Sequence, residues 1–231
     1  LLHGVYGGGV LQWSFPTTSA SSGPRTPRWT WPGKWPPDRA QPAQQPAPQQ
    51  PAQQAPAPPT YTAIAGAYCA NNSTDFQQYG WFDQGQSGWN TNSTGGYSGG
   101  GCNGKYTSVP MSGDANKDDG NSVVWTFNTG SVSSGSCSFS VYVPADGDIK
   151  AVGGDPAYYT VQNSSTPRSG TIASFTVNQV DNLGSWVGVG SYPLSNGQIS
   201  VMLHTRGQDW TGNTKTYAHL AAAAIKATCT G

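Results

Sequence analysis

Glutamate is missing from this chain. All eleven acidic side chains are aspartate, which excludes any mechanism that needs a Glu general acid or base, although two Asp could still serve. Charge is sparse as well, with Asp, Lys and Arg making up 10% of the 231 residues. It is also unevenly placed. Residues 1–60 carry four Lys/Arg and one Asp (+3), and residues 61–231 carry seven and ten (−3). Neither part has the dense basic face of a nucleic-acid binder, so nucleic acid is not an expected partner. The chain has only three His and four Cys, with no C-x-x-C pair, and a structural zinc site is not expected. No long apolar run is present. The Leu1–Leu11 stretch LLHGVYGGGVL is too short and too Gly-rich for a membrane span or signal core. Its lack of an initial Met fits either a removed export signal or a fragment of a longer protein.

Thirteen of the eighteen prolines lie at or before Pro59. The run QPAQQPAPQQPAQQAPAPP, Gln41–Pro59, supplies neither a hydrophobic face nor regular backbone donors. It reads as an extended spacer over 41–60. Residues 1–40 form a Gly/Ser/Pro tail, expected to be disordered, with a Trp cluster at Trp29, Trp31 and Trp35. That cluster is either an aromatic, basic docking peptide or a chance grouping within the tail.

From Tyr61 onward the pattern has period two. Val123, Trp125 and Phe127 share one face; Phe139, Val141 and Val143, then Ala173, Phe175 and Val177, then Ile199, Val201 and Leu203 do the same. Scarce Glu and Lys beside abundant Gly, Ser, Thr and Asn favour strands and turns over helices. Residues 61–231 are therefore expected to form one all-β, antiparallel sandwich. The Ala-rich segment His219–Cys229 is expected to be its buried final strand. Cys69, Cys102, Cys137 and Cys229 allow three pairings. Neighbour pairing, Cys69–Cys102 and Cys137–Cys229, is favoured, with an oxidising compartment implied.

A series of short motifs is similar to the golvesin carboxy-terminal-like domain, also described as a xanthan-lyase carbohydrate-binding-like module. The matching pieces are SGWNTNSTGGYSGG (Ser87–Gly100), VVWTF (Val123–Phe127), FSVYVPADG (Phe139–Gly147) and DPAYYTVQ (Asp155–Gln162). They continue as FTVNQVDNLGSWVGVGSYPL (Phe175–Leu194) and ISVML (Ile199–Leu203). The resemblance spans about residues 79–229. It implies a jelly-roll-like sandwich that serves as an accessory module of bacterial secreted or surface proteins, with polysaccharide or cell-wall polymer as partner. The chain departs from the pattern in its two disulfides, in an insertion around DANKDDG, and in the HTRGQDWTGNTK segment between Leu203 and Tyr217.

Sugars are held by aromatic faces with amides and carboxylates nearby. Trp81, Trp89 and Trp210 lie in Gly/Asn/Ser-rich segments beside such groups, including Asp209. Tyr158 and Tyr159 are adjacent on a strand, so one of them should face outward. The competing reading is that these aromatics plug the ends of the sandwich. Trp125 and Trp186 are read as core residues.

Asp114, Asn116 and Asp118 follow the D-x-N-x-D start of a calcium loop. The sixth position is Asp119 rather than Gly and the twelfth is Trp125 rather than Glu, which rules out an EF-hand and leaves a looser calcium site or a solvated acidic turn. No G-x-S-x-G, H-E-x-x-H or P-loop is present, and no catalytic residue is assigned. The expected function is that of a non-catalytic, secreted or cell-surface module that binds carbohydrate. A structural or adhesive ectodomain with a protein partner is the first alternative. A hydrolase is the second, and it requires a constellation centred on His204 in a cleft, with a Ser or Asp within hydrogen-bond reach of that ring.

Overall fold

The computed structural model of the chain describes residues 56–231 together with Pro27, Thr30 and Gly33. Those three positions apart, the tail, the Trp29–Trp35 cluster and the spacer up to residue 55 lie outside the described residues. The strands begin with β1 (Thr60–Ala65), β2 (Thr74–Tyr79), β3 (Asn90–Asn92), β4 (Tyr106–Pro110), β5 (Ser122–Asn128), β6 (Gly135–Tyr142) and β7 (Ala157–Gln162). They continue as β8 (Thr171–Val177), β9 (Trp186–Leu194), β10 (Gln198–His204), β11 (Trp210–Thr211), β12 (Thr214–Lys215), β13 (His219–Ala222) and β14 (Ile225–Thr230). Apart from one short 3-10 turn, Gly85–Ser87, the described regular structure is all β.

Two antiparallel sheets, ordered β1-β14-β6-β9 and β2-β5-β10-β7-β8, face each other. The expected alternation places the core between them. Val123, Trp125, Phe127, Phe139, Val141, Ile199, Val201 and Leu203 are all buried there. Phe127 meets Phe139 across the gap with ring centroids 5.5 Å apart. A smaller sheet, β13-β4-β3, closes one end. There the buried Gln179 amide donates to Tyr159 Oη (3.0 Å) and to the Ala221 carbonyl (2.9 Å), and accepts from Ala221 N–H (2.9 Å). All three polar partners would otherwise be unsatisfied in the core.

The Ala-rich terminus departs from the single strand expected of it. It breaks at Ala223–Ala224 into β13 and β14, which belong to different sheets. The Ala223 carbonyl, freed from any ladder, accepts the Trp125 indole N–H at 2.9 Å. The missing side chain of Gly66 leaves room for this crossing: a Cβ placed there would lie 3.3 Å from that same carbonyl oxygen and 3.4 Å from Ala224 Cα. Trp186 also differs from its sequence reading. It starts β9 opposite Tyr142 and packs on the rings of Tyr97 and Tyr142, centroids 4.9 and 5.3 Å away, half-buried outside the core.

Both disulfides join sequence neighbours, Cys69–Cys102 and Cys137–Cys229. The second links directly opposed positions of β6 and β14. Between β9 and β10 the chain reverses at Asn196-Gly197, both with φ near +60° to +70°, the type I′ geometry that suits the twist of a hairpin.

Candidate functional site

Three connections meet at one end of the five-stranded sheet. The β4–β5 connection (111–121) is stapled to the β10–β11 connection (205–209). Ser112 N–H donates to the Thr205 carbonyl (2.9 Å), Gly207 N–H to the Asp114 carbonyl (3.0 Å), and the Thr205 hydroxyl to Asp119 (2.8 Å). Beside them Asp155-Pro156 leads into β7. Between these pieces lies an open cleft of about 430 Å³, lined by Asn116, Asp155, Tyr158, Arg206, Gln208 and Trp210 among others. That volume falls within the range of small-ligand sites.

The exposed aromatic of the cleft is Trp210, 49% exposed. It opens the β11–β12 hairpin, whose turn uses Gly212 at φ +59°. Behind it the buried Asp209 carboxylate holds Lys215 at 3.5 Å and its backbone carbonyl takes Thr216 N–H at 2.7 Å. Lys215 Nζ in turn lies 5.9 Å from the Trp210 ring centre and 5.1 Å from that of Tyr217. Asp209 therefore braces the hairpin instead of facing the cleft.

Tyr158 points outward from β7, while its neighbour Tyr159 is fully buried against Phe175 and Trp125. Burial pushes the Tyr159 phenol well above its ordinary pKa. The guanidinium of Arg206 covers the Tyr158 ring at 4.2 Å. Asp118 approaches Arg206 Nε at 3.5 Å and Arg168 at 3.8 Å. Its other strong contact is His204 Nδ1, at 2.8 Å. His204 Nε2 lies 3.0 Å from the Thr160 hydroxyl, and the ring stands edge-on to Tyr158, centroids 4.9 Å apart. Desolvation lowers the His204 pKa below its usual value, against the opposing pull of Asp118. The ring is thus neutral at neutral pH, donating through Nδ1 and accepting through Nε2.

The sequence candidates separate into four groups. Tyr158, Trp210 and Asn116 come together in the cleft, with Asp209 directly behind. Trp81 is 55% exposed but lies away from it, and Trp89, 3% exposed, joins Tyr159 in the core. Those two buried rings offer no face to a ligand in this structure. The carboxylates of Asp114 and Asp118 are engaged separately. Asp114 caps Asn116 N–H at 2.8 Å and lies 3.9 Å from Lys117, while Asp118 serves His204 and the two arginines. No group of three His, Cys, Asp or Glu side chains suited to a metal ion occurs among the described residues. Arg206, Gln208 and Asp155 were not singled out by sequence reasoning. The signal for the first two was the polar segment between Leu203 and Tyr217, which supplies a third of the residues that line the cleft.

The hydroxyl–imidazole–carboxylate series Thr160–His204–Asp118 meets the hydrogen-bond criterion set for a hydrolase. Thr160 and His204 are each only 5% exposed, however, and neither lines the cleft.

No protein-family model matches the chain, and no curated protein matches its sequence. Among solved structures, the chain is similar to the family 35 carbohydrate-binding module of Cellvibrio japonicus Abf62 (14% identity, 74% of this chain and 97% of that one, TM-score 0.39). A family 35 carbohydrate-binding module from Clostridium thermocellum gives 14% identity, 74% and 98% coverage and a TM-score of 0.34. An exo-beta-1,3-galactanase from Phanerochaete chrysosporium gives 15% identity over 74% of this chain and 29% of that one, with a TM-score of 0.34. The golvesin-like resemblance finds no counterpart among these matches. At such scores the likeness assigns neither family nor ligand, and the site has to be read from its own chemistry.

Proposed function

We propose that this chain is a non-catalytic carbohydrate-recognition module that works outside the cell, with the Trp210 cleft as its binding site. The observation that carries the reading is the convergence of one open indole with a guanidinium, a carboxylate and two amides around a cleft of ligand size. An indole face suits the C–H surface of a pyranose, and planar donors and acceptors at its rim suit the ring hydroxyls. Recognition is favoured over turnover because the one His-centred series near the cleft keeps its hydroxyl buried. The two disulfides support an oxidising compartment, and no helix among the described residues is long and apolar enough to cross a membrane.

With one open aromatic ring, monovalent affinity is weak, and retention on a repeating polymer comes from avidity. A polysaccharide or cell-wall polymer is therefore the expected partner. A glycan array probed with the full chain and with Trp210→Ala tests the reading. Signal on a related set of glycans that the variant loses supports it. Absence of signal on every glycan would transfer the function to a protein partner at the cell surface.

A further inference from the structure

Arg206, Tyr158, His204 and Asp118 form a closed ring of contacts. Asp118 touches both His204 (2.8 Å) and Arg206 (3.5 Å), Arg206 covers Tyr158, and Tyr158 packs edge-on against His204. Two members, Arg206 and Tyr158, line the cleft; the other two stand behind it. Asp118 Oδ1 and Arg206 Nε are both shut away from solvent and neither makes a hydrogen bond; they face each other as an ion pair at 3.5 Å. Each is thus the other's natural counter-group, and the orientation of the guanidinium depends on the carboxylate. The carboxylate is in turn fixed from behind by His204.

We propose that Asp118 and His204 are positioning residues of the cleft, and that protonation of His204 loosens Arg206 from its place over Tyr158. In the neutral state Asp118 answers two nearby cations, Arg206 and Arg168. A protonated His204 makes three cations for one carboxylate. It also repels both guanidiniums and obliges the Thr160 hydroxyl to turn from donor to acceptor. The charged groups facing the ring are Asp118 from the 111–121 connection, Arg206 from the 205–209 connection and Arg168 from the β7–β8 connection. From β7 it meets Tyr158 and Thr160, and its register partner on β5 is the uncharged Ser122. No acid other than Asp118 makes an ion pair in this ring to absorb the added charge.

This coupling resides in the protein itself, so its test needs no sugar and its failure is separable from that of the carbohydrate reading. The ring nitrogens of His204 and the Arg206 Nε–H signal are followed by nitrogen-15 NMR in the ligand-free full chain from pH 8 to pH 4.5. The expected result is that the Arg206 signal shifts and exchanges faster with solvent, with the same midpoint as His204. His204→Asn retains an N–H donor toward Asp118 but has no titrating group, and its Arg206 signal stays put over the same range. An Arg206 signal that ignores the His204 titration, or that moves equally in His204→Asn, would overturn the proposal. So would a His204 ring that remains neutral down to pH 4.5.

Discussion

The guanidinium carbon of Arg206 sits 4.2 Å from the centre of the Tyr158 ring. One face of Tyr158 is therefore already taken, so in the proposed binding site its part would be to present the arginine rather than to stack on a ligand. Over Trp210 the cation among the described residues is Lys215, farther off at 5.9 Å from the ring centre.

Tyr158→Ala removes the surface on which Arg206 rests, while Tyr158→Phe keeps it. A cation–π contact is worth about 0.5–2 kcal/mol, so Tyr158→Ala should weaken glycan binding by about 2- to 30-fold and Tyr158→Phe by far less. Isothermal titration of both variants checks this. Equal losses would show that the hydroxyl, and not the ring, is what matters.

Acidification should destabilise the fold through His204. Its folded pKa lies below the ordinary value, so the unfolded chain binds more protons as pH falls below about 6.5. Stability then rises with pH across that window and is lost as pH drops through the folded pKa. Melting curves should show wild-type Tm falling between pH 7 and pH 5, with a smaller fall for His204→Asn. A variant that falls as steeply as wild type would assign the acid sensitivity to other groups.

The Cys137–Cys229 bridge closes 92 residues and Cys69–Cys102 closes 33. On chain entropy alone these are worth about 4–5 and about 3–4 kcal/mol. Paired Cys→Ala variants in urea should therefore lose more stability at the first bridge than at the second. The reverse order would mean that strapping the 69–102 segment matters beyond its loop length.

Chelation should leave glycan binding unchanged. Asp114 is already answered by Asn116 N–H and Lys117, and Asp118 by His204 and two arginines. Retention measured with EDTA and with added calcium should agree. A drop in EDTA that calcium reverses would revive the calcium loop read from D-x-N-x-D.

The sandwich was legible in the sequence because its core strands alternate cleanly. Val123, Trp125, Phe127 and Ile199, Val201, Leu203 reach the core as their period-two spacing requires. The alanine run His219–Cys229 was not legible as two strands. Methyl groups carry almost no facing signal, and what divides it is a carbonyl taken by the distant Trp125 indole. Trp186 misled for a related reason: its strand alternates, but the Trp stands on the outward side with Tyr142. For the site, Trp210 and Tyr158 could be picked out as aromatics beside polar residues. Their union with Arg206, Gln208 and Asp155 could not, because it depends on backbone staples between connections about 90 residues apart in sequence, such as Gly207 N–H to the Asp114 carbonyl.

The most direct test of the central claim is a depletion isotherm of the full chain on a panel of insoluble polysaccharides, with Trp210→Ala and Trp81→Ala alongside. The account predicts that wild type and Trp81→Ala are retained on the same polymer and that Trp210→Ala binds about tenfold or more weakly, the scale expected for losing a stacked, buried aromatic contact. Full retention of Trp210→Ala, with loss in Trp81→Ala, would contradict it and move the site out of the cleft.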